Sequence, residues 1–478
     1  MSEPIVDTHA HVHFDPLAGD LAGVLARARA AGLAAIITVG TDAAGNRRVA
    51  DLVACPERSQ GAGEAMLYAA VGLHPHVAAE VTEADWSALE ELLGRPKVVA
   101  LGEFGLDYHS KRSPPDAQAA VFKRAVRLAR DRDLPLIIHS RDAARETLAA
   151  LDEAAAGRMP RGVLHCFTGG PEFALDMLAR GFYISFSGVV TFKNAPLVRE
   201  AARRVPVERV LVETDSPYCA PVPFRGKVNE PAHVVHVIRF LADLYGLAED
   251  DVRRMTTRNA SHLFGLPLKG GGPCLVYPIR RGLYVNLTNR CSNRCAFCPR
   301  SGGDLVVKGH DLALEREPTA EEILQAIAAA GPERFDEIVF CGFGEPTLRL
   351  DVVKEVARAV KERWPATAGR PGRRTRLNTN GQGSAINGRD IVPELVGLVD
   401  ALSVSLDAPD AATYERLCRP TLPGAFAAVC EFLRSARGRI PEIRATAVAV
   451  PGLDLAAVRR LAEELGAAFE VREYNVVG

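Results

Sequence analysis

Thr288-Asn-Arg-Cys-Ser-Asn-Arg-Cys-Ala-Phe-Cys-Pro299 sets Cys291, Cys295 and Cys298 in a CxxxCxxC array directly after the apolar run Leu283-Tyr-Val-Asn-Leu287. Three thiolates on one short loop can converge on a metal centre, because thiolate is the soft ligand of iron–sulfur clusters and of zinc. Three protein ligands leave one iron of a four-iron cluster open to chemistry, whereas structural zinc is closed by four. The next cysteine, Cys341, falls in an expected strand, and His310 lies beyond a Gly-rich stretch. A zinc knuckle completed from afar is the competing reading.

Working outward, Cys341-Gly-Phe-Gly-Glu-Pro346 follows the apolar run Glu337-Ile-Val-Phe-Cys341, and Leu377-Asn-Thr-Asn-Gly381 and Leu402-Ser-Val-Ser-Leu-Asp407 end the next two. With the cysteine array, these motifs resemble the radical S-adenosylmethionine (SAM) superfamily. The resemblance implies a [4Fe–4S] cluster held by Cys291, Cys295 and Cys298, with the open iron chelated by SAM. Electron transfer from a low-potential donor such as flavodoxin or ferredoxin would then cleave SAM to a 5′-deoxyadenosyl radical. Gly342, Gly344 and Glu345 would meet the methionyl amino group, glycine allowing close backbone approach and Glu345 accepting from an ammonium. Asn378, Asn380, Ser403 and Ser405 stand where the superfamily contacts the SAM ribose and carboxylate. Read by themselves, these four are equally at home as turn formers and strand caps.

The chain has 478 residues, room for two or three domains with full cores. A hydrophobic fraction of 47% and a charged fraction of 24% are ordinary for a globular protein. The formal net charge of −1 excludes a global basic field for non-specific duplex binding. Ten cysteines without a pairing pattern, no signal-peptide pattern at Met1-Ser-Glu-Pro-Ile-Val-Asp7 and no membrane-length apolar run lead us to expect a reducing cytoplasm and no membrane partner.

From residue 4 to about 265 short apolar runs alternate with helical patterns. Strands are expected at Ile5–Asp7, Ala34–Val39, Leu67–Val71, Val98–Leu101, Leu136–Ile138, Gly162–Leu164, Tyr183–Phe186 and Val210–Val212. Eight βα units in that length make a (β/α)8 TIM barrel. His9 and His11 follow expected strand one, His74 strand three, Glu103 strand four, His139 strand five, His165 strand six and Asp215 strand eight. Catalytic residues of such barrels sit at the strands' C-terminal ends, so these side chains converge on one mouth.

The motifs Val6-Asp-Thr-His-Ala-His11, Gly72-Leu-His-Pro75, Gly102-Glu-Phe-Gly-Leu-Asp107, Ile138-His-Ser-Arg-Asp142, Leu164-His-Cys-Phe-Thr-Gly169 and Val212-Glu-Thr-Asp-Ser-Pro217 resemble the TatD family of metal-dependent, DNase-like hydrolases on amidohydrolase barrels. The resemblance implies two divalent ions (Zn, Mg or Mn). His9, His11, Glu103 and Asp215 would hold one, and Glu103, His139 and His165 the other, with Glu103 bridging. Two such cations activate water and clamp a phosphate, with Asp215 orienting or deprotonating the water. His74 reads equally as ligand, ligand support or substrate contact. Asp107 and Glu213 read as partners that fix ligand imidazoles. The loop Phe224–Pro231 has Val228 where the family often has a polar residue, but keeps Arg225 and Lys227 as phosphate handles.

Residues Met255–Leu266 read as the barrel's closing helix, and Lys269-Gly-Gly-Gly-Pro273 as a linker. Six further strands are expected at Leu283–Leu287, Ile338–Cys341, Thr375–Asn378, Ala401–Ser405, Ile443–Val448 and Phe469–Tyr474, a partial (β/α)6 barrel. The expected division is therefore a metallohydrolase barrel at 1–266, a linker at 267–282 and a radical SAM core at 283–478. Lys123, Arg124, Arg127 and Arg130 read as the outer face of a helix, and Arg370–Arg376 as a solvated loop. The expectation is a bifunctional enzyme: a hydrolase acting on nucleic-acid ends, joined to a radical SAM enzyme of unstated substrate. The alternatives are an acyl or amide hydrolase on the same barrel, a small phosphate substrate, or one half kept as a binding module.

Overall fold

In the computed structural model, which describes residues 3–55, 66–268, 273–298, 300, 305–365 and 372–474, the first eight apolar runs become eight parallel strands. They are β1 (Ile5–Ala10), β2 (Leu33–Val39), β3 (Met66–Val71), β4 (Val98–Asp107), β5 (Leu136–Arg141), β6 (Gly162–Leu164), β7 (Tyr183–Phe186) and β8 (Val210–Val212). They pair in sequence order. The ends of the sheet meet where Ala10 bridges Ser216 in parallel and His11 N–H donates to the Ser216 carbonyl at 2.7 Å. Alternation along each strand sorts the side chains. Val6, Ala35, Ile37, Tyr68, Ala70, Ile137 and Leu211 fill the interior, while Ile5, Ile36, Leu67 and Ile138 pack under the helices. Each fully buried Ile is worth about 1.5–3 kcal/mol of transfer free energy.

The helix Glu249–Phe264 closes one end, adding Ala260, Leu263 and Phe264 to the interior cluster. Its Asn259 Nδ2 donates to the carbonyls of Val207 and Val210 at 2.9 and 2.8 Å, pinning the start of β8. On the helix Pro115–Arg132, Lys123 and Arg124 pair with Glu153 and Glu83, each at 2.5 Å, across the outer surface.

The described residues form two units, one within Met1–Gly270 and the other within Gly271–Gly478. The strands of the second are β9 (Val276–Ile279), β10 (Gly282–Val285), β11 (Val306–Val307), β12 (His310–Asp311), β13 (Glu337–Phe340), β14 (Arg374–Thr379), β15 (Ala401–Ser405), β16 (Glu442–Val448) and β17 (Ala468–Arg472). Its main sheet runs β17-β16-β15-β14-β13-β10-β9, with β11 and β12 as a separate pair. Within this main sheet the six strands β10, β13, β14, β15, β16 and β17 are parallel and only β9 is antiparallel to its neighbour. Crossover helices such as Ala320–Ala329, started by a capping box between Thr319 and Glu322, cover it.

The structure corrects several expectations. Strands β1, β4 and β5 run past the predicted ends, so His9, Glu103 and His139 lie within strands rather than after them. For β4 and β5 the reason is a break in register between Leu101 and Phe104, which turns Glu103 inward while pairing between the two strands resumes beyond it. Strand β9 lies inside the span 267–282 expected to be linker; its apolar residues pair with β10. Cys341 follows β13 rather than ending it. Lys269–Gly272 of the expected linker, Pro299, and Arg370 and Pro371 of the basic stretch lie outside the described residues, whereas Arg374 and Arg376 pair with Glu442 and Glu337 at 2.7 and 2.9 Å rather than standing free in solvent. Among the described residues, no helix is long and apolar enough to cross a membrane.

Candidate active sites

At the C-terminal ends of the first barrel's strands, a cavity of about 930 Å³ is lined by His11, His74, Glu103, His139, His165 and Asp215. Closure of the barrel makes the site. Asp215 N–H donates to the His9 carbonyl at 2.9 Å. The Asp7 carboxylate accepts from Thr214 N–H and Oγ1 at 2.9 and 2.6 Å, stitching β1 to the end of β8. Burial pushes the Asp7 carboxyl up to about 8. A Cβ at Gly105, where φ is 152°, would strike the His139 carbonyl oxygen, so only glycine lets β4 and β5 approach beside Glu103.

Glu103 stands at the centre. Its Oε1 lies 2.7 Å from both His139 Nδ1 and His165 Nε2, and its Oε2 lies 3.4 Å from His9 Nε2. His9 Nε2 and His11 Nε2 face each other at 3.3 Å, with Asp215 Oδ1 at 3.9 and 3.5 Å from them. His139 Nδ1 and His165 Nε2 also face each other at 3.3 Å. Facing ring nitrogens repel unless a proton or a cation lies between them, and buried charges need partners. Buried His9 Nδ1, His139 Nε2 and His165 Nδ1 lack aligned hydrogen bonds. This donor set fits divalent ions, falling into groups around His9/His11/Asp215, His9/Glu103/His165 and His74/Glu103/His139.

The charges are strongly coupled. Burial alone would neutralise Glu103, but the His165, His74 and His139 imidazoles outweigh it and hold the carboxyl well below the usual range. Burial works against His165 too, yet Glu103 and Glu213 raise it well above the ordinary imidazole value. Asp215, despite burial, is held at about 2 by His11, His9 and His165.

Supporting partners set the tautomers. His11 Nδ1 meets the Val39 carbonyl at 2.8 Å, leaving Nε2 for the site. His139 Nε2 lies 3.4 Å from Asp107, and His165 Nδ1 lies 3.3 Å from Glu213. Glu213 is itself held by Ser185 Oγ and Cys166 N–H, both at 2.6 Å. His74 differs. Its Nδ1 accepts the His76 N–H at 3.1 Å, so Nε2, 3.4 Å from Glu103, carries the proton, and burial keeps the ring neutral with a value of about 4. Sequence reading missed Arg112 and Arg141, which line the cavity. Arg225, singled out as a handle, stacks on Phe192 at 4.2 Å and bonds Asn194 at 3.2 Å, off the cavity lining. The signal of Arg112 and Arg141 was faint, since one lies in a loop and the other ends β5, and single arginines at such places are common.

In the second unit a cavity of about 370 Å³ brings together Cys291, Cys295, Cys298, Gly342, Gly344, Glu345, Asn378, Asn380, Ser403 and Ser405. Three thiols on one wall suit a soft-metal cluster. The Cys291 thiol, pushed up to about 11 mainly by burial, accepts from Asn293 N–H at 3.4 Å and faces Asn380 Nδ2 at 3.8 Å. Such N–H donors favour the thiolate that an iron would bind. A Cβ at Gly344 would strike the Thr288 carbonyl oxygen, so this glycine lets the turn close on the cysteine loop.

Glu345 is 1% exposed, and its carboxylate accepts from Thr347 N–H and Oγ1, Thr379 Oγ1 and Asn380 N–H at 2.6–2.9 Å. It therefore fixes the turn after β13 to the end of β14, and little of it is left for an ammonium. Asn380 Nδ2 donates to Ser292 Oγ at 2.8 Å, which turns it toward the cysteine loop. Ser405 Oγ accepts from Arg472 Nη2 at 3.2 Å. Cys341, Arg472 and Asp407 also line the cavity, and Cys418 packs fully buried beside Cys295. Sequence reading did not single out Arg472, Asp407 or Cys418 for this site, because their neighbourhood is made by strand order alone.

Two family models match separate parts of the chain. The model of TatD related DNase matches residues 6–265, and that of the Radical SAM superfamily residues 285–465. An uncharacterized metal-dependent hydrolase of Bacillus subtilis, YabD, is 40% identical over 260 residues, covering 54% of this chain and 98% of its own. The 3′-5′ ssDNA/RNA exonuclease TatD of Citrobacter rodentium is 34% identical, covering 52% of this chain and 92% of its own. The crystal structure of the TatD homologue YJJV from Escherichia coli K12 superposes with a TM-score of 0.51 at 30% identity, covering 55% of this chain and 98% of that one.

Proposed function

Because the chain belongs to the TatD-related DNase family, with a radical SAM domain at residues 285–465, we propose that its metal-dependent hydrolase unit cleaves phosphodiesters at nucleic-acid ends and that its second unit performs radical SAM chemistry. The observation that carries the first half is Glu103, with one carboxylate oxygen 2.7 Å from two imidazoles and the other 3.4 Å from a third. Two divalent ions held there would supply Lewis acidity and a more acidic water.

The chain's own groups do the rest. Glu103 bridges the two sets of nitrogens. Asp215, held well into its charged form across the neutral range, orients the attacking water. His74 Nε2–H donates to a substrate oxygen at the mouth. Arg112 and Arg141 meet phosphates, as guanidinium suits them. A barrel mouth ringed by loops admits a strand end more readily than an intact duplex.

In the second unit Cys291, Cys295 and Cys298 would hold the cluster, and Asn378, Ser403, Ser405 and Arg472 would line the SAM and substrate space. Held there with SAM, a [4Fe–4S] cluster would supply reductive SAM cleavage, with the electron coming from a low-potential donor such as flavodoxin or ferredoxin. Asn380 orients Cys291 by its amide.

The test is anaerobic purification with metal analysis, then separate assays. Release of nucleotides from DNA or RNA ends, lost on chelation, supports the first half; turnover of acyl or amide substrates without nucleic-acid cleavage would overturn the substrate class. Release of 5′-deoxyadenosine from SAM supports the second half.

A further inference from the structure

Two thiols at the mouth of the first barrel take no part in the hydrolysis described above. Cys166 follows His165 at the end of β6, and Cys219 lies in the loop beyond Asp215 after β8. Their Sγ atoms stand 3.9 Å apart, and a carboxylate oxygen of Asp215 lies within 4.8 Å of both. Both line the catalytic cavity. Ser187 Oγ is 3.2 Å from the Cys166 sulfur.

The spacing is informative. Two thiolates about 2.3 Å from one tetrahedral ion stand about 3.8 Å apart, close to what is seen. A disulfide would need about 2.05 Å. Two sulfurs and one carboxylate oxygen also leave a fourth tetrahedral position facing the cavity, as open zinc sites do. Asp215 turns Oδ1 to His9 and His11, and its second oxygen remains for another ion.

We propose that Cys166, Cys219 and Asp215 form a third cation subsite, selective for a soft ion of tetrahedral preference such as zinc, beside the imidazole–carboxylate pair. The neighbouring site offers only nitrogen and oxygen donors, which are harder than thiolate. Thiolates discriminate against the hard ions. An ion there ties the loop after β8 to the end of β6 and fixes the Asp215 carboxylate from its other side. The proposal rests on the hydrolase reading only through Asp215.

The test uses the full chain with Cys291, Cys295 and Cys298 replaced by alanine, so that no cluster thiolate competes, kept reduced and titrated with Co²⁺. A near-ultraviolet thiolate-to-cobalt charge-transfer band is expected, together with the visible bands of the imidazole–carboxylate ions. Adding Cys166→Ser and Cys219→Ser should remove the near-ultraviolet band and one equivalent of bound ion while the visible bands persist. Cys219→Ser alone serves if the combined variant does not fold. Visible bands without the near-ultraviolet band, or a band unchanged by the serines, would overturn the third subsite and leave the hydrolase reading standing. Absence of the visible bands would instead count against the hydrolase site itself.

Discussion

The backbone N–H of Asp215 donates to the carbonyl oxygen of His9 at 2.9 Å, so one hydrogen bond both seals β1 to the end of β8 and sets a carboxylate against an imidazole. The barrel's closure and the metal site are thus one event, and substitutions can be chosen to separate chemistry from fold.

Asp215→Asn keeps shape and hydrogen bonding but removes the charge that orients the water. Hydrolysis should fall by about 10²–10⁴-fold, the range for a positioned acid–base group, with circular dichroism and melting temperature little changed. Glu103→Ala should abolish turnover, because among the described residues no other carboxylate stands within 3 Å of both His139 and His165. Full activity in either variant would sink the assignment.

Glu213 is buried off the cavity lining and holds His165 by its Nδ1 side at 3.3 Å. Glu213→Gln should weaken divalent-ion affinity by about 10–100-fold, as partners of ligand imidazoles do. Isothermal titration checks it, and excess metal should restore most of the rate, whereas it should not rescue Glu103→Ala.

Metal binding should depend steeply on pH. In the metal-free chain His11, His139 and His165 all lie above the ordinary imidazole value: burial opposes this, but Asp215 and Glu103, with Asp107 and Glu213, outweigh it. A folded-state value above the unfolded one means the protons stabilise the metal-free fold fully below pH about 6.5. That stabilisation fades as pH rises through the higher folded values. A divalent ion must displace the same protons. Ion affinity should therefore climb from pH 6 to 8, and titrations in buffers of different ionisation heat should report proton release. Affinity flat across that window would contradict the charge arrangement.

Each of Cys291→Ala, Cys295→Ala and Cys298→Ala should lose the brown colour, about four irons per chain and 5′-deoxyadenosine formation, with hydrolysis by the first unit nearly intact. Cys341→Ala should keep the cluster and SAM cleavage, although that thiol shares the cavity wall. A triple cysteine variant with parental iron and SAM cleavage would end the radical SAM reading.

Gly344→Ala would force a methyl group into the Thr288 carbonyl. A cost of about 1–3 kcal/mol is expected from such overpacking, read as a lower midpoint in urea together with poor cluster loading. A parental midpoint would show that the turn can shift freely.

The sequence by itself determined the kinds of element and the chemistry they carry. Short apolar runs spell strands through a local period, so β6, β7 and β8 and the order of the barrel could be read directly, and CxxxCxxC places three thiols together by covalent spacing alone. Tertiary structure decided what each atom faces. That β4 runs through Glu103 depends on a register break against β5, and that β9 is a strand depends on β10 beside it. Glu345 lost its expected freedom to Thr347, Thr379 and Asn380 because β14 lies next to β13. Arg112, Arg472 and the Cys166–Cys219 pair carry no local signal. Side-chain identity and periodicity are local properties of the chain, whereas hydrogen-bond partners, buried charge and metal geometry arise between residues that only barrel closure and strand order bring within reach.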